Sequence, residues 1–155
     1  MTIEHHLFHS FINLNLIESI DDCEYSRCGR TDKCVSSSGN VIALNVRSNL
    51  NGKKKKEFPY AVMLNGYLPK GIRILATTLV PKNFSARYNC KYREYKYFFP
   101  RGELNIDLMR KGCKNFLGLH DFRNFCKMDI ITTTCFLRRI MDIHIDPLEY
   151  VFPLF

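Results

Sequence analysis

The sequence predicts a mixed α+β chain, and three observations carry that expectation. Apolar residues recur at helical spacing over 2–13 and 105–117, and a shorter helical stretch covers 59–68. Strand-like runs lie between and after them, at 41–46 (VIALNV), 72–80 (IRILATTLV), 90–99 and 134–145. The chain has 155 residues, 46% hydrophobic and 25% charged, which suits one ordinary domain or two small ones sharing a core and argues against disorder.

The first helix is capped by Thr2 and presents Ile3, Leu7 and Phe11 on one stripe, widened by Phe8 and Ile12. His5 and His9 on it have a spacing that suits a metal. No carboxylate or cysteine cluster accompanies them, so surface histidines are the favoured reading. A turn-rich segment, GRTDKCVSSSG, precedes the buried strand at 41–46. Asn51-Gly52 and Lys53–Lys56 form a loop, read as solvated with loose phosphate contact as the rival. The helix at 59–68 stops near Gly66 and Pro69, and the strand at 72–80 ends at Pro81. A strand over Cys90–Phe99 places Arg93, Tyr95 and Tyr97 on one face. Asn105 caps the next helix, whose apolar side is Met109, Cys113, Phe116 and Leu117, and Gly118 ends it. HDFRNF at 120–125 is a polar and aromatic knot before the last strand.

Composition narrows the function classes. There are 23 Lys+Arg against 15 Asp+Glu, a formal charge of +8, which suggests a polyanionic partner. The excess is spread: ten cations against seven anions in 1–80, thirteen against eight in 81–155. Between Lys82 and Arg101 stand six Lys/Arg, one Glu and seven Phe/Tyr. That interleaving fits a nucleic-acid surface, where cations meet phosphates and rings stack on bases; a Tyr/Phe-rich core strand with a solvated opposite face fits it equally. No run approaches the roughly 18 apolar residues of a membrane helix. The start, MTIEHHLFHSF, lacks the basic-then-apolar pattern of a secretory signal. Seven cysteines, odd in number and without a C-x-x-C pair, argue against a zinc framework and for reduced thiols in the cytosol or nucleus.

The segment Arg27-Cys28-Gly29-Arg30-Thr31-Asp32-Lys33 is the most informative in the chain. Asp32 sits in a tight loop between Arg30 and Lys33, cations that favour its charged form. Such a carboxylate suits a nucleophile or weak base; on the pattern alone, a structural ion pair competes with that reading.

SRCGRTDKCVSSSGNVIAL resembles the catalytic loop of the TruA-type tRNA pseudouridine synthases, G-R-T-D-x-G-V-x-A-x-G-x-V. Four further segments follow that family's order. TIEHHLF (2–8) is similar to its T-I-E helix. LNGYLPKGIRIL (64–75) is similar to L-N-x-x-L-P-x-x-I-R-I. FSARYNCKYREYKYFF (84–99) matches F-x-A-R-x-x-x-x-R-x-Y-x-Y, and FLGLHDFRNF (116–125) matches F-x-G-x-H-D-F-x-x-F. HDFRNFCKMD (120–129) looks most like the eukaryotic branch acting on uridines 38 and 39 of the anticodon stem-loop.

The resemblance implies an α+β fold of two ferredoxin-like halves, with antiparallel sheets and helices on one side. The halves are 1–80, carrying the catalytic loop, and 81–155, carrying the basic and aromatic strand. It implies isomerisation of uridine to pseudouridine in tRNA, with no cofactor and no metal, by a homodimer without membrane attachment. Asp32 is then the catalytic carboxylate, Arg30 holds it and fills the space the flipped base vacates, and Tyr95 stacks on the uracil. The candidate RNA contacts are Arg27, Lys33, Arg87, Arg93, Tyr97 and His120, although Arg93 reads also as a support of the site and His120-Asp121 equally as a hydrogen-bonded structural corner.

Three departures from the family pattern stand out. Cys34 replaces the loop glycine, a strained choice if that position needs positive φ, and Ser37 replaces an alanine. The opening strand with its Y-D-G-T-like segment is absent, and so is the F-x-x-x-M-V-R-like segment expected after residue 155. The sequence therefore reads as the middle of a longer enzyme, truncated at both ends. The rival readings are a catalytically inactive RNA-binding remnant and an incomplete product that does not fold.

Overall fold

The computed structural model describes residues 1–50, 56–126 and 135–148. They form helices and small antiparallel sheets, an α+β arrangement, and the chain divides into two compact units, Met1–Tyr95 and Lys96–Phe155.

In the first unit, helix α1 spans Ile3–Asn13, and Thr2 accepts the His5 backbone N–H at 3.2 Å as its cap. Leu7, Ser10 and Phe11 are its buried residues. The Ser10 hydroxyl satisfies itself inside the core by donating to the His6 carbonyl at 2.7 Å. The helix ends in a Schellman motif: Asn15 takes φ 51°, its N–H bonds the Ile12 carbonyl and the Leu16 N–H reaches the Phe11 carbonyl, both at 2.8 Å. That reversal drives Leu16, 1% exposed, into a core with Leu7, Phe11, Ile17, Cys23, Leu64 and Leu68. Strands β1 (Ser26–Arg27) and β2 (Ile42–Ala43) pair antiparallel, Ser26 opposite Ala43 and Arg27 opposite Ile42. Single backbone bonds extend the pairing on both sides, from Cys28 N to Val41 O and Asn45 N to Cys23 O, and a further one from Arg47 N reaches Leu16 O just after α1.

Helix α2 (Tyr60–Tyr67) buries Leu64 in the same core. Its Asn65 side chain clasps the backbone of Ile74 on both sides, donating to its carbonyl at 2.8 Å and accepting its N–H at 2.7 Å. Arg73 turns its guanidinium back to the Pro69 and Ile72 carbonyls, at 2.9 and 2.7 Å. The expected strand at 72–80 is absent, and so is the one at 90–99. Ile72 and Ile74 pack against the core while Leu75 and Leu79 stay exposed. A strand exists only through its ladder partner, and among the described residues neither segment has one.

In the second unit, helix α3 (Ile106–Cys113) is capped by Asn105, which accepts the Leu108 N–H at 3.0 Å. The helix expected to run to Leu117 is α-helical only to Cys113; a 3-10 turn (Lys114–Phe116) follows, and Gly118 takes φ +98° where the chain turns into the next strand. Strand β3 (Gly118–Asp121) pairs antiparallel with β4 (Leu137–Ile140), Gly118 opposite Ile140 and Asp121 opposite Leu137. The expected last strand thus narrows to four residues, and Thr134 at its start lies outside the described residues. The 120–125 knot resolves into the end of β3 and a 3-10 turn, Arg123–Phe125, with Phe116, Phe122 and Phe125 in mutual ring contact. Arg110 of α3 donates twice to the Ile145 carbonyl, at 3.0 and 2.8 Å. The lysine loop at 53–55 and residues 127–129 of the HDFRNFCKMD match lie outside the described residues.

Candidate active site

The β1–β2 pair delivers the loop that carries Asp32. After Cys28 bonds Val41, the chain leaves the pair and returns at Asn40. Within the loop, the Val35 N–H bonds the Asp32 carbonyl at 3.1 Å, closing a turn with Lys33 and Cys34 at its centre. Cys34, third in that turn, takes φ 68°. This is where a turn favours glycine, and it is the position at which the sequence departs from the family's glycine. Residues 30–40 are exposed. The Asp32 carboxylate has no hydrogen bond or ion pair among the described residues, and neither Arg30 nor Lys33 is bonded to it. The structural ion pair that competed for this carboxylate is therefore not formed.

The root of the loop is held firmly. Asn40 donates from Nδ2 to the Gly29 carbonyl at 3.1 Å. Its Oδ1 accepts from the Cys28 thiol at 2.7 Å and from the Val41 N–H at 3.0 Å. From the opposite direction, 65 residues along the chain, Arg93 donates to the Cys28 carbonyl through Nε at 3.1 Å and through Nη2. Tyr95, two residues beyond Arg93, is 81% exposed with its ring open to solvent. The segment holding Tyr95 and the loop holding Asp32 are thus joined by one guanidinium.

Two more sequence motifs meet β1. Ser26 accepts the N–H of Ala86, a residue 2% exposed, which docks the F-S-A-R segment beside the strand. Glu4 of α1 receives both the Tyr25 hydroxyl, at 2.9 Å, and the Arg27 guanidinium. Burial raises the Tyr25 pKa and the Glu4 hydrogen bond adds to it; the same carboxylate raises that of Arg27. Arg27, read from sequence as an RNA contact, is thereby an ion-pair partner that fixes β1 to α1.

The remaining candidates scatter. Arg87 lies over the Tyr88 ring at 5.6 Å, and Lys33 is exposed. Tyr97, 86% exposed, stacks on Phe99 at 6.3 Å in the second unit. There His120 forms a corner, its Nε2 donating to the Leu117 carbonyl at 2.7 Å. Asp121 accepts the Arg123 backbone N–H at 3.0 Å and its guanidinium; these two, in that order, hold its carboxyl below the usual range. Glu4, Asn40 and Asn65 escaped the sequence reading as organising residues. Glu4 and Asn65 lie inside quoted motifs, T-I-E and L-N, where their fixed places were the available signal; Asn40 falls on a variable position and gave none.

Among the described residues no group of three or more His, Cys, Asp or Glu is placed to hold a metal ion, all seven cysteines are free thiols, and no helix is long and apolar enough to cross a membrane.

No protein-family model matches the chain. Individual proteins do. It is 44% identical over 143 residues to a tRNA pseudouridine(38/39) synthase of Homo sapiens, a match covering 83% of this chain and 30% of that protein. With the enzyme of the same name from Saccharomyces cerevisiae it is 42% identical over 165 aligned positions, 99% of this chain and 37% of the relative. A tRNA pseudouridine synthase A of Methanosphaera stadtmanae is 33% identical over 150 positions, covering 94% of this chain and 50% of the relative. The chain spans about a third of the length of the eukaryotic relatives. Five motifs in one order, converging in large part on β1 and its loop, and these identities lead to one assignment: the chain belongs to the tRNA pseudouridine synthase family.

Proposed function

We propose that this chain supplies the catalytic segment of a tRNA pseudouridine synthase that converts uridine to pseudouridine in the anticodon stem-loop. The observation that carries the reading is an exposed carboxylate, Asp32, unpaired among the described residues, on a loop whose root is bonded to the segment bearing an exposed tyrosine, Tyr95. The reaction cleaves the N1 glycosidic bond, turns the uracil and rejoins it through C5 with loss of the C5 proton. No electrons are gained or lost overall. Asp32, ionised, acts either by attack on C1′ or by removing the C2′ proton, and both routes need the acceptor-only form of the carboxylate. The target base leaves the stack at a cost of a few kcal/mol, and Tyr95 offers a ring to receive it and a hydroxyl to help move the C5 proton. Arg30, which is not bonded to Asp32 in the structure, is assigned from the family likeness to hold it and to enter the vacated space. Lys33, Arg87 and Tyr97 are assigned to tRNA contact.

The fold proposed for the complete assembly is two ferredoxin-like halves meeting near residue 80, with Asp32 and Tyr95 on facing walls, acting as a homodimer in the cytoplasm or nucleus. These features rest on the family likeness.

Release of tritium from tRNA labelled at uridine C5 tests the activity, because rejoining through C5 must expel the label. Asp32→Asn is expected to abolish release and leave tRNA affinity nearly unchanged. Normal release by Asp32→Asn would overturn the assignment.

A further inference from the structure

We propose that Arg93 and Asn40 are positioning residues that lock the root of the Asp32 loop, and that Arg93 works through the Cys28 carbonyl instead of through tRNA phosphate. The inference deepens the proposed function and rests on it for its kinetic part.

The loop is exposed from Arg30 to Asn40, and among the described residues it depends, beyond its internal turn at Asp32–Val35, on its two ends for support. Those ends are held by two side chains. Asn40 uses its whole amide: the N–H spans the mouth of the loop to Gly29, and the oxygen takes the Cys28 thiol and the Val41 N–H. Arg93 places two donors of its fork on one oxygen, the Cys28 carbonyl. A guanidinium carries five donors in a fixed plane, so two of them on one carbonyl fix its direction and leave the rest facing solvent. A Cβ built on Gly29 would meet Arg93 Nε at 3.5 Å, so the guanidinium lies directly against the start of the loop.

The two clamps act on adjacent peptide groups. Arg93 holds the carbonyl of residue 28 and Asn40 the carbonyl of residue 29, so the strand leaving β1 cannot rotate its peptides without breaking one or the other. Asp32 lies three residues farther on. Loss of a clamp therefore shifts the carboxylate without removing any charge from it, and a displacement near 1 Å at reacting groups costs about a hundredfold in rate. Arg93 also ties the loop to its own neighbour Tyr95, so one residue sets the placement of both groups that the reaction uses.

The test uses Arg93→Ala, Arg93→Lys, Asn40→Ala and the double alanine variant, each first shown to keep the parent thermal midpoint within a few degrees. Turnover of C5-tritiated tRNA is read as kcat and KM, tRNA affinity is read across salt concentrations, and amide hydrogen exchange is read over 29–39. The clamp predicts a roughly 10- to 100-fold loss of kcat in Arg93→Ala and Asn40→Ala, with KM, affinity and salt slope close to the parent. Arg93→Lys, which keeps the charge and loses the fork, falls between. The double variant loses less than the product of the single losses, because both act on one loop. Exchange over 29–39 rises in all of them. If Arg93 were a phosphate contact, Arg93→Ala would instead weaken tRNA binding and reduce the salt slope by about one with kcat retained, which overturns the proposal. Unchanged exchange over 29–39 in both alanine variants also overturns it. Should the parent show no turnover, the proposed function fails while the exchange measurement still decides the clamp.

Discussion

At the scale of single residues, Cys34 shows how a backbone angle turns a sequence anomaly into an energy. Its φ of 68° lies in the left-handed region, where a Cβ crowds the following carbonyl at about 1 kcal/mol. Cys34→Gly is therefore expected to raise unfolding free energy by roughly that amount, read as a higher urea midpoint at unchanged slope. This strain was legible beforehand, because a glycine-specific position in the motif held another residue. Glu57 gives a second residue-scale expectation. The Asn49 N–H, the Ser48 hydroxyl at 2.5 Å and the Phe58 N–H converge on its carboxylate and hold its pKa down to about 2, against an ordinary 4.5. A depressed folded pKa means that its contribution is present above about 4.5 and is lost as the pH falls toward 2. Amide protection factors at Asn49 and Phe58, taken relative to intrinsic exchange, should fall as the pH drops across that window, and in Glu57→Gln should be low throughout and lose that dependence.

At the scale of elements, helices and strands differed in how readably the sequence announced them. A helix closes its hydrogen bonds within itself, so the Thr2 cap, the Leu7–Phe11 stripe and the Asn105 cap sufficed to place α1 and α3. A strand closes its bonds with another segment, and IRILATTLV carries β-branched residues without naming a partner. What organises its start is a side chain: Asn65 pairs with both backbone groups of Ile74 as a neighbouring strand would. Asn65→Ala should cost about 1–3 kcal/mol, measured by chemical denaturation, since it strands a half-buried donor and acceptor together. R-T-D proposes a chemistry for the loop but does not announce its architecture. Nothing in the spacing of Cys28, Asn40 and Arg93 tells that they meet, because Arg93 lies 65 positions beyond Cys28 and the chain between them must fold before they do.

At the scale of the molecule, the buried side chains among the described residues all belong to the Met1–Tyr95 unit, from Leu7 to Ala86. The Lys96–Phe155 unit is tied by ring contacts, the β3–β4 pair and arginine bonds, with Leu108 and Leu119 exposed. Native-state exchange should therefore find its slowest amides in α1 and α2, with β3 and β4 opening at lower free energy; the reverse order would contradict this distribution of the core. The inward turn of the arginines has a consequence for the +8 charge. Arg27, Arg73, Arg93, Arg110 and Arg123 direct their forks at the protein's own carboxylates and carbonyls. They still add to the long-range field, but fork geometry is what reads a phosphate or a guanine edge bidentately. An approaching polyanion would then be gathered by lysines, strongly hydrated point charges on flexible stems, and by the arginines outside that set, Arg30 and Arg87 among them. Chemical acetylation of the amines should weaken that attraction while leaving the internal arginine bonds, and the fold they brace, in place.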